Sequence, residues 1–162
     1  MTGIAEALLM ADLRLGTKRY EQEAEDALEF ENCCYREDLR GWPDRRFPGS
    51  GKMAGGNCYG PIGMRIIYEH LGQAGIRHRL IEHNIKRAEA SVCSAGNSSL
   101  DHLCCGEMSL ADYYLETGNT EAAGRVLTEV VKTAKENGEY RLGFADCQSN
   151  NNVTLKPALE SV

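Results

Sequence analysis

Two short stretches place thiols directly ahead of a glycine: "NCYG" at residues 57–60 and "LCCG" at 103–106. Each glycine opens an apolar-striped helical run, so Cys58, Cys104 and Cys105 stand at helix starts. The partial positive charge there lowers a thiol's pKa and favours the thiolate, the form that binds metal and attacks electrophiles. With the two turns at the inner ends of adjacent hairpins, three sulfurs are presented toward one point. Zinc suits such a set, and three protein ligands leave the fourth position open for a substrate. Three thiolates leave a zinc centre with excess negative charge, which keeps a bound substrate thiolate nucleophilic. That favours thiol alkylation over activation of water. The competing reading buries Cys104 and Cys105 as ordinary helix-start residues; a Cys-X-Gly at two equivalent places favours a shared site.

The elements that must position these residues read as helices almost throughout. Ile4, Ala7, Leu8, Ala11 and Leu15 repeat at about 3.6 residues, with Gly16 as the stop. Thr17 is expected to cap a second helix running through Phe30, with Ala24, Ala27, Leu28 and Phe30 as its stripe. Further helices are expected over Pro61–Ala74, Arg79–Ala90, Ser109–Glu116 and Thr120–Asn137. The loop after the second helix is rich in Gly, Pro and charge and shows no strand pattern, and the C-terminal "FADCQSNNNVTLKPALESV" shows no periodicity. Gly3, Gly60 and Gly106 each precede a striped helix that stops at Gly16, Gly75 or Gly118, and a more charged helix follows. Helical hairpins repeated in this way bury their faces only by stacking, in an open solenoid or a closed α/α toroid. The unequal repeats make a tetratricopeptide array the weaker reading of "LADYYLETGNTEAAGRVLTEVVKTA".

The remaining chemistry is bounded by composition. A chain of 162 residues with 42% hydrophobic residues supports a domain-sized core. A formal charge of −6 argues against a nucleic-acid or anionic-membrane surface. No apolar run approaches a membrane span, and the N-terminus lacks signal-peptide features, so a cytoplasmic location is expected. In a reducing compartment the seven cysteines are not a disulfide framework. Cys33, Cys34, Cys93 and Cys147 are read as packing residues.

At this point the sequence resembles a family, the lanthionine synthetase C-like proteins, and most closely the C-terminal cyclase domain of class II lanthipeptide synthetases. "TGIAEALLMADLRLGTKRYEQEAEDALEFE" is similar to the family's Ser-Gly-Ile-Ala hairpin, and "GWPD" at 41–44 to its Asn-Trp-Pro-Asp loop. "NCYGPIG" follows its Trp-Cys-His/Tyr-Gly-X-Pro-Gly motif, and "LCCGEMSLADYYLETG" its Cys-His-Gly motif in the Cys-Cys-Gly variant. The resemblance implies an all-α fold, a partial α/α toroid of stacked hairpins, with zinc held by Cys58, Cys104 and Cys105. It implies addition of a precursor peptide's cysteine thiolate to dehydroalanine or dehydrobutyrine, closing a thioether ring. Tyr59 matches a position with a proposed proton-handling role. A dehydratase domain is an implied partner in the full-length protein.

The departures shape a further expectation. The family's His-Gly motif ahead of Ser-Gly-Ile-Ala has no counterpart, its arginine four residues before the first zinc cysteine falls at Ala54, and its Gly-rich closing motif is not reached. Residues 1–162 therefore read as about the last half of a cyclase domain, truncated at both ends, carrying the zinc site without the full catalytic set. General acid–base help is worth about 10²–10⁴-fold, so weak activity or none is expected of this chain alone. The rival class is a non-catalytic helical-repeat module that binds peptides with structural zinc or none; a fourth protein ligand, Cys93 or His102, would mark it.

Other candidates have plainer readings. His102 is read as a capping or solvated residue, and His70, His78 and His83 as surface positions. Trp42 and Asp44 are read as fixing the long loop. "GSGK" at 49–52 fails as a phosphate loop, since Arg46 stands at its first glycine position. The acid-rich "YEQEAEDALEFE" reads as a solvated face.

Overall fold

The computed structural model describes residues 1–45, 49, 53, 55–58, 60–94 and 100–142. The described residues form six helices: α1 (Thr2–Leu15), α2 (Glu21–Cys33), α3 (Pro61–Gln73), α4 (Arg79–Ser94), α5 (Glu107–Glu116) and α6 (Thr120–Asn137). The fold is all-α, as expected, and the described part of the long loop contributes only the isolated bridges Arg36–Gly41 and Pro43–Met53. The chain divides into two units, Met1–Ala95 and Gly96–Val162.

In the first unit α1 packs on α2 and α3, and α3 and α2 pack on α4. The hairpin plan holds at the turns. Gly16 and Gly75 both adopt positive φ, 63° and 78°, where a side chain would be strained. The core gathers Ala27, Leu28, Met64, Tyr68, Leu71 and Ile81, with Trp42 brought in from the loop. Complete burial of a side chain such as Leu28 or Leu71 contributes about 1.5–3 kcal/mol.

Four expectations are corrected here. The buried face of α1 is Thr2, Ala5 and Asp12, whereas Ile4 and Leu15 of the expected stripe are exposed. This helix is apolar on two sides, and packing on α2 and α3 selects the one with the small residues that allow close approach. Thr17 does not cap a helix. Its hydroxyl donates to Asp12 Oδ1 (2.6 Å), as do the Arg19 and Tyr20 amides to the Asp12 carboxylate, and α2 begins only at Glu21. Asp12 thus organises the turn from α1 to α2 that Gly16 starts. On α2, Phe30 is exposed while Glu31 is buried beside Ala24, Ala27 and Leu28. Cys33 falls off that stripe and is exposed rather than packed; Cys34 is half-buried against the core.

The second unit is the α5–α6 hairpin with its flanking segments. Gly118 turns the chain at φ 80°, and Asn119 caps α6 by accepting the Ala122 amide at 3.1 Å. Ala111 and Tyr113 of α5, and Ala122, Ala123, Val130 and Ala134 of α6, are its buried apolar residues. The Cys93 side chain, Cys147 and the C-terminal segment after Leu142 lie outside the described residues.

Candidate metal centre

Both cysteine stretches adopt the same local design. Gly60 and Gly106 are the N-cap residues of α3 and α5, with nearly equal extended backbones (φ −124°, ψ −179° and φ −107°, ψ −171°). Cys58 and Cys104 therefore occupy the same position, two residues before the N-cap, and Cys105 corresponds to Tyr59. Gly3 breaks the parallel, since it sits inside α1 instead of ahead of it.

In each case the loop folds back so that its carbonyls take amides of the helix's first turn, which have no intrahelical acceptor. The Gly63 amide donates to the Gly56 carbonyl (3.3 Å), and the Glu107 amide to the Leu100 carbonyl (2.8 Å). Such close return leaves no room for side chains. A Cβ on Gly60 would lie 2.4 Å from the Gly55 backbone, one on Gly63 only 1.9 Å from the Asn57 carbonyl oxygen, and one on Gly106 2.6 Å from the His102 and Leu100 backbones. These glycines are the physical reason the thiols are held at the helix starts.

In the first unit Cys58 is exposed and lines a cleft of about 280 Å³. Trp42, Asp44, Asn57, Met64 and Ile67 line it too, together with the buried carboxyl of Glu31. The Trp42 indole donates to the Glu31 main-chain carbonyl (2.9 Å) and meets the Tyr35 ring edge-on at 4.8 Å. Trp42 thus fixes the loop as expected, and in doing so forms a cleft wall. Tyr59, the expected proton-handling residue, lies outside the described residues.

In the second unit the Cys104 and Cys105 sulfurs are 3.3 Å apart, with Cys104 exposed and Cys105 half-buried. Tetrahedral zinc with bonds of about 2.3 Å sets ligand sulfurs about 3.8 Å apart, so a small rotation of either side chain suits this pair to one ion. His102 serves the turn instead: its Nδ1 accepts the Cys105 amide at 3.1 Å, ahead of the Gly106 N-cap, so it braces the loop and does not cap α5. His70 lies on the surface of α3, 3.3 Å from Glu6, and His78 lies just ahead of α4, 3.6 Å from Glu25.

Sequence reasoning missed two residues around these loops. Glu31 was read as part of a solvated acidic face, yet its spacing from Ala24, Ala27 and Leu28 places it on the buried stripe. Burial raises its carboxyl above the ordinary range, partly offset by the Thr2 hydroxyl and the terminal amine. The other is Arg141, which clamps the cysteine loop of the second unit. Asp101 is 2% exposed; it accepts the Arg141 amide (2.7 Å) and Nε (3.1 Å), and its own amide donates to the Arg141 carbonyl (2.8 Å).

Burial alone would raise the Asp101 carboxyl, but the Arg141 hydrogen bonds outweigh it and hold the group below 3.8. The clamp's contribution is therefore complete above that pH and is lost as the pH falls through the depressed value. Arg141→Ala leaves a buried carboxylate with its main partner gone, and is expected to cost the second unit about 2–3 kcal/mol at neutral pH. Urea unfolding of the variant at pH 7 and pH 3 checks this: the difference from wild type should shrink at the lower pH.

The chain matches the family described as "Lanthionine synthetase C-like protein" over residues 1–154. It belongs to that family. No curated protein and no solved structure gives a significant match. Among the described residues no helix is long and apolar enough to cross a membrane.

Proposed function

We propose that the chain carries the zinc site of a lanthionine-forming cyclase, with Cys58, Cys104 and Cys105 as the ligands, within a partial α/α toroid. The observation that carries this reading is the repeated helix start. Two cysteines stand at the same place before N-cap glycines, in a chain that belongs to a family acting on peptides of this kind. Bound zinc would supply Lewis acidity that keeps a precursor peptide's cysteine deprotonated at neutral pH. The chain's residues would do the rest. The three thiolates hold the metal with one position open, the glycine-packed loops keep those thiolates at the positive ends of α3 and α5, and the cleft beside Cys58 receives the neighbouring peptide. Tyr59 is proposed to handle the proton that the ring-forming carbon must gain. A cytoplasmic setting and a dehydratase partner belong to this same reading.

The test is ring closure itself. Dehydrated precursor peptide is incubated with the chain and zinc, remaining thiols are blocked, and thioethers are counted by mass spectrometry. Slow cyclisation that stops on chelation and in Cys58→Ala is expected. Thioether formation indifferent to chelation, or tight peptide binding by a chain that takes up no zinc, would contradict it; the second outcome favours the peptide-binding module.

A further inference from the structure

The first turn of α1 is fastened to the rest of the first unit by few groups. Met1, Gly3 and Ile4 are exposed, so of its residues Thr2 and Ala5 alone turn inward. The helix start has no side-chain cap, and no acidic residue of the first turn meets the helix dipole. Thr2, 3% exposed, donates its hydroxyl to Glu31 Oε2 on α2 and is hydrogen bonded with the Tyr68 hydroxyl of α3.

Glu31 is a poor place for a charge. It is 5% exposed, and its Oε1 is out of solvent with no hydrogen-bond partner among the described residues. A carboxylate there lacks the donors that both its oxygens require. Ionised, Glu31 would hold Thr2 and the Met1 amine more strongly, but burial outweighs both and raises its carboxyl above the ordinary range. Water is the remaining source of donors, and it enters where the surrounding structure yields most easily. Tyr68, Leu71 and Ile81 anchor α3 and α4 in the core. The first turn of α1 brings only two small side chains, so it is the wall that gives way.

The other charged and titratable groups around Glu31 come from every side. On α1 the Met1 amine lies 4.0 Å away, while Glu6 faces His70 of α3. On α3 the Tyr68 phenol is pushed above its usual value by burial. Toward α2 from α4 and the turn before it stand His78, Arg79 and Arg87, which meet Glu25, Glu29, Asn32 and Glu37. Cys34, Asp44, Arg45 and Cys58 line the same cleft as Glu31.

We propose that the Thr2–Glu31 contact is a pH-operated latch: with Glu31 neutral it holds the first turn of α1 in place, and ionisation of Glu31 releases that turn. Met1, Thr2 and Gly3 line the cleft, so release opens it on the α1 side. The latch is fully fastened below the ordinary carboxylate range and is lost as the pH rises through the raised value. It belongs to the first unit alone and requires neither zinc nor a peptide.

Amide hydrogen exchange followed by NMR tests it, with a chelator present so that the outcome is independent of the metal reading. The Ile4 and Ala5 amides both donate to the Met1 carbonyl, so their protection measures closure of the first turn. Protection, corrected for the intrinsic rate at each pH, is compared at about pH 4.5 and about pH 8, on either side of a raised carboxyl. Wild type should lose about tenfold at the higher pH. Amides in the middle of α3 and α4 should keep their protection, which separates release of one turn from unfolding of the unit. Acrylamide quenching of Trp42, the only tryptophan and a wall of the cleft, should rise in step. Glu31→Gln keeps the shape and cannot ionise, so both readouts should become flat. Thr2→Val keeps the shape without the hydroxyl and should leave the turn poorly protected at both pH values. A wild type without pH dependence overturns the latch, as does wild-type pH dependence in Glu31→Gln, wild-type protection in Thr2→Val at the lower pH, or an equal loss in α3 and α4. If Glu31→Gln fails to fold, the wild-type curve decides: its midpoint must coincide with the titration of the Glu31 carboxyl carbon by NMR, and a mismatch overturns the latch.

Discussion

Alanine at either Cys104 or Cys105 is expected to strip the chain of zinc, weakening its hold on the ion by more than about 10²-fold. The two sulfurs lie 3.3 Å apart on one tight turn, so removing one leaves that turn a single ligand and the proposed site two of its three. Neither substitution should unfold the protein. Cys104 is exposed and Cys105 half-buried, and backbone bonds, the His102 acceptor and the Asp101–Arg141 clamp hold the turn in either variant. Cys33 and Cys34, at the end of α2, supply the matched control: their joint replacement by serine should leave the zinc content unchanged. Metal analysis after gel filtration reads both. Retention of zinc by Cys104→Ala, or its loss from the folded Cys33/Cys34 variant, would show that other thiols bind it.

Gly63→Ala should damage the first unit far more than its small size suggests. The added methyl would stand 1.9 Å from the Asn57 carbonyl oxygen, which is backbone and cannot rotate away. Either α3 loses its first turn or the loop carrying Cys58 is pushed outward, at a cost of about 3 kcal/mol. Gly72 lies in the same helix with open space around its Cα. Gly72→Ala should therefore be neutral or stabilise by up to about 1 kcal/mol through helix propensity alone. Thermal unfolding of the pair separates a local collision from a general intolerance of change in α3. Equal behaviour of the two variants would mean the loop does not pack on the helix as described.

Much of this arrangement was legible because it rests on local rules. The chain-reversing glycines Gly16, Gly75 and Gly118 were recognisable, since few residues but glycine accept a left-handed backbone after a helix. The helix starts at Gly60 and Gly106 were recognisable too, and with them the common position of Cys58 and Cys104. What escaped depends on tertiary choice. The α1 helix is apolar on two faces, and periodicity cannot say which one packing will use. Thr17 has the chemistry of a cap, but the Asp12 carboxylate three-dimensionally nearby claims its hydroxyl. Glu31 looked solvated because its neighbours in sequence are acidic, although its neighbours at helical spacing are buried. Asp101 and Arg141 are 40 residues apart, beyond any local pattern.

The zinc centre is tested most directly by X-ray absorption at the zinc edge of the wild-type chain, before and after addition of a cysteine-containing precursor peptide. The account predicts three sulfurs at about 2.3 Å with one lighter donor, becoming four sulfurs when the peptide thiol enters the open position. Four sulfurs, or a fixed set including histidine, before any peptide is added and unchanged afterwards would contradict it.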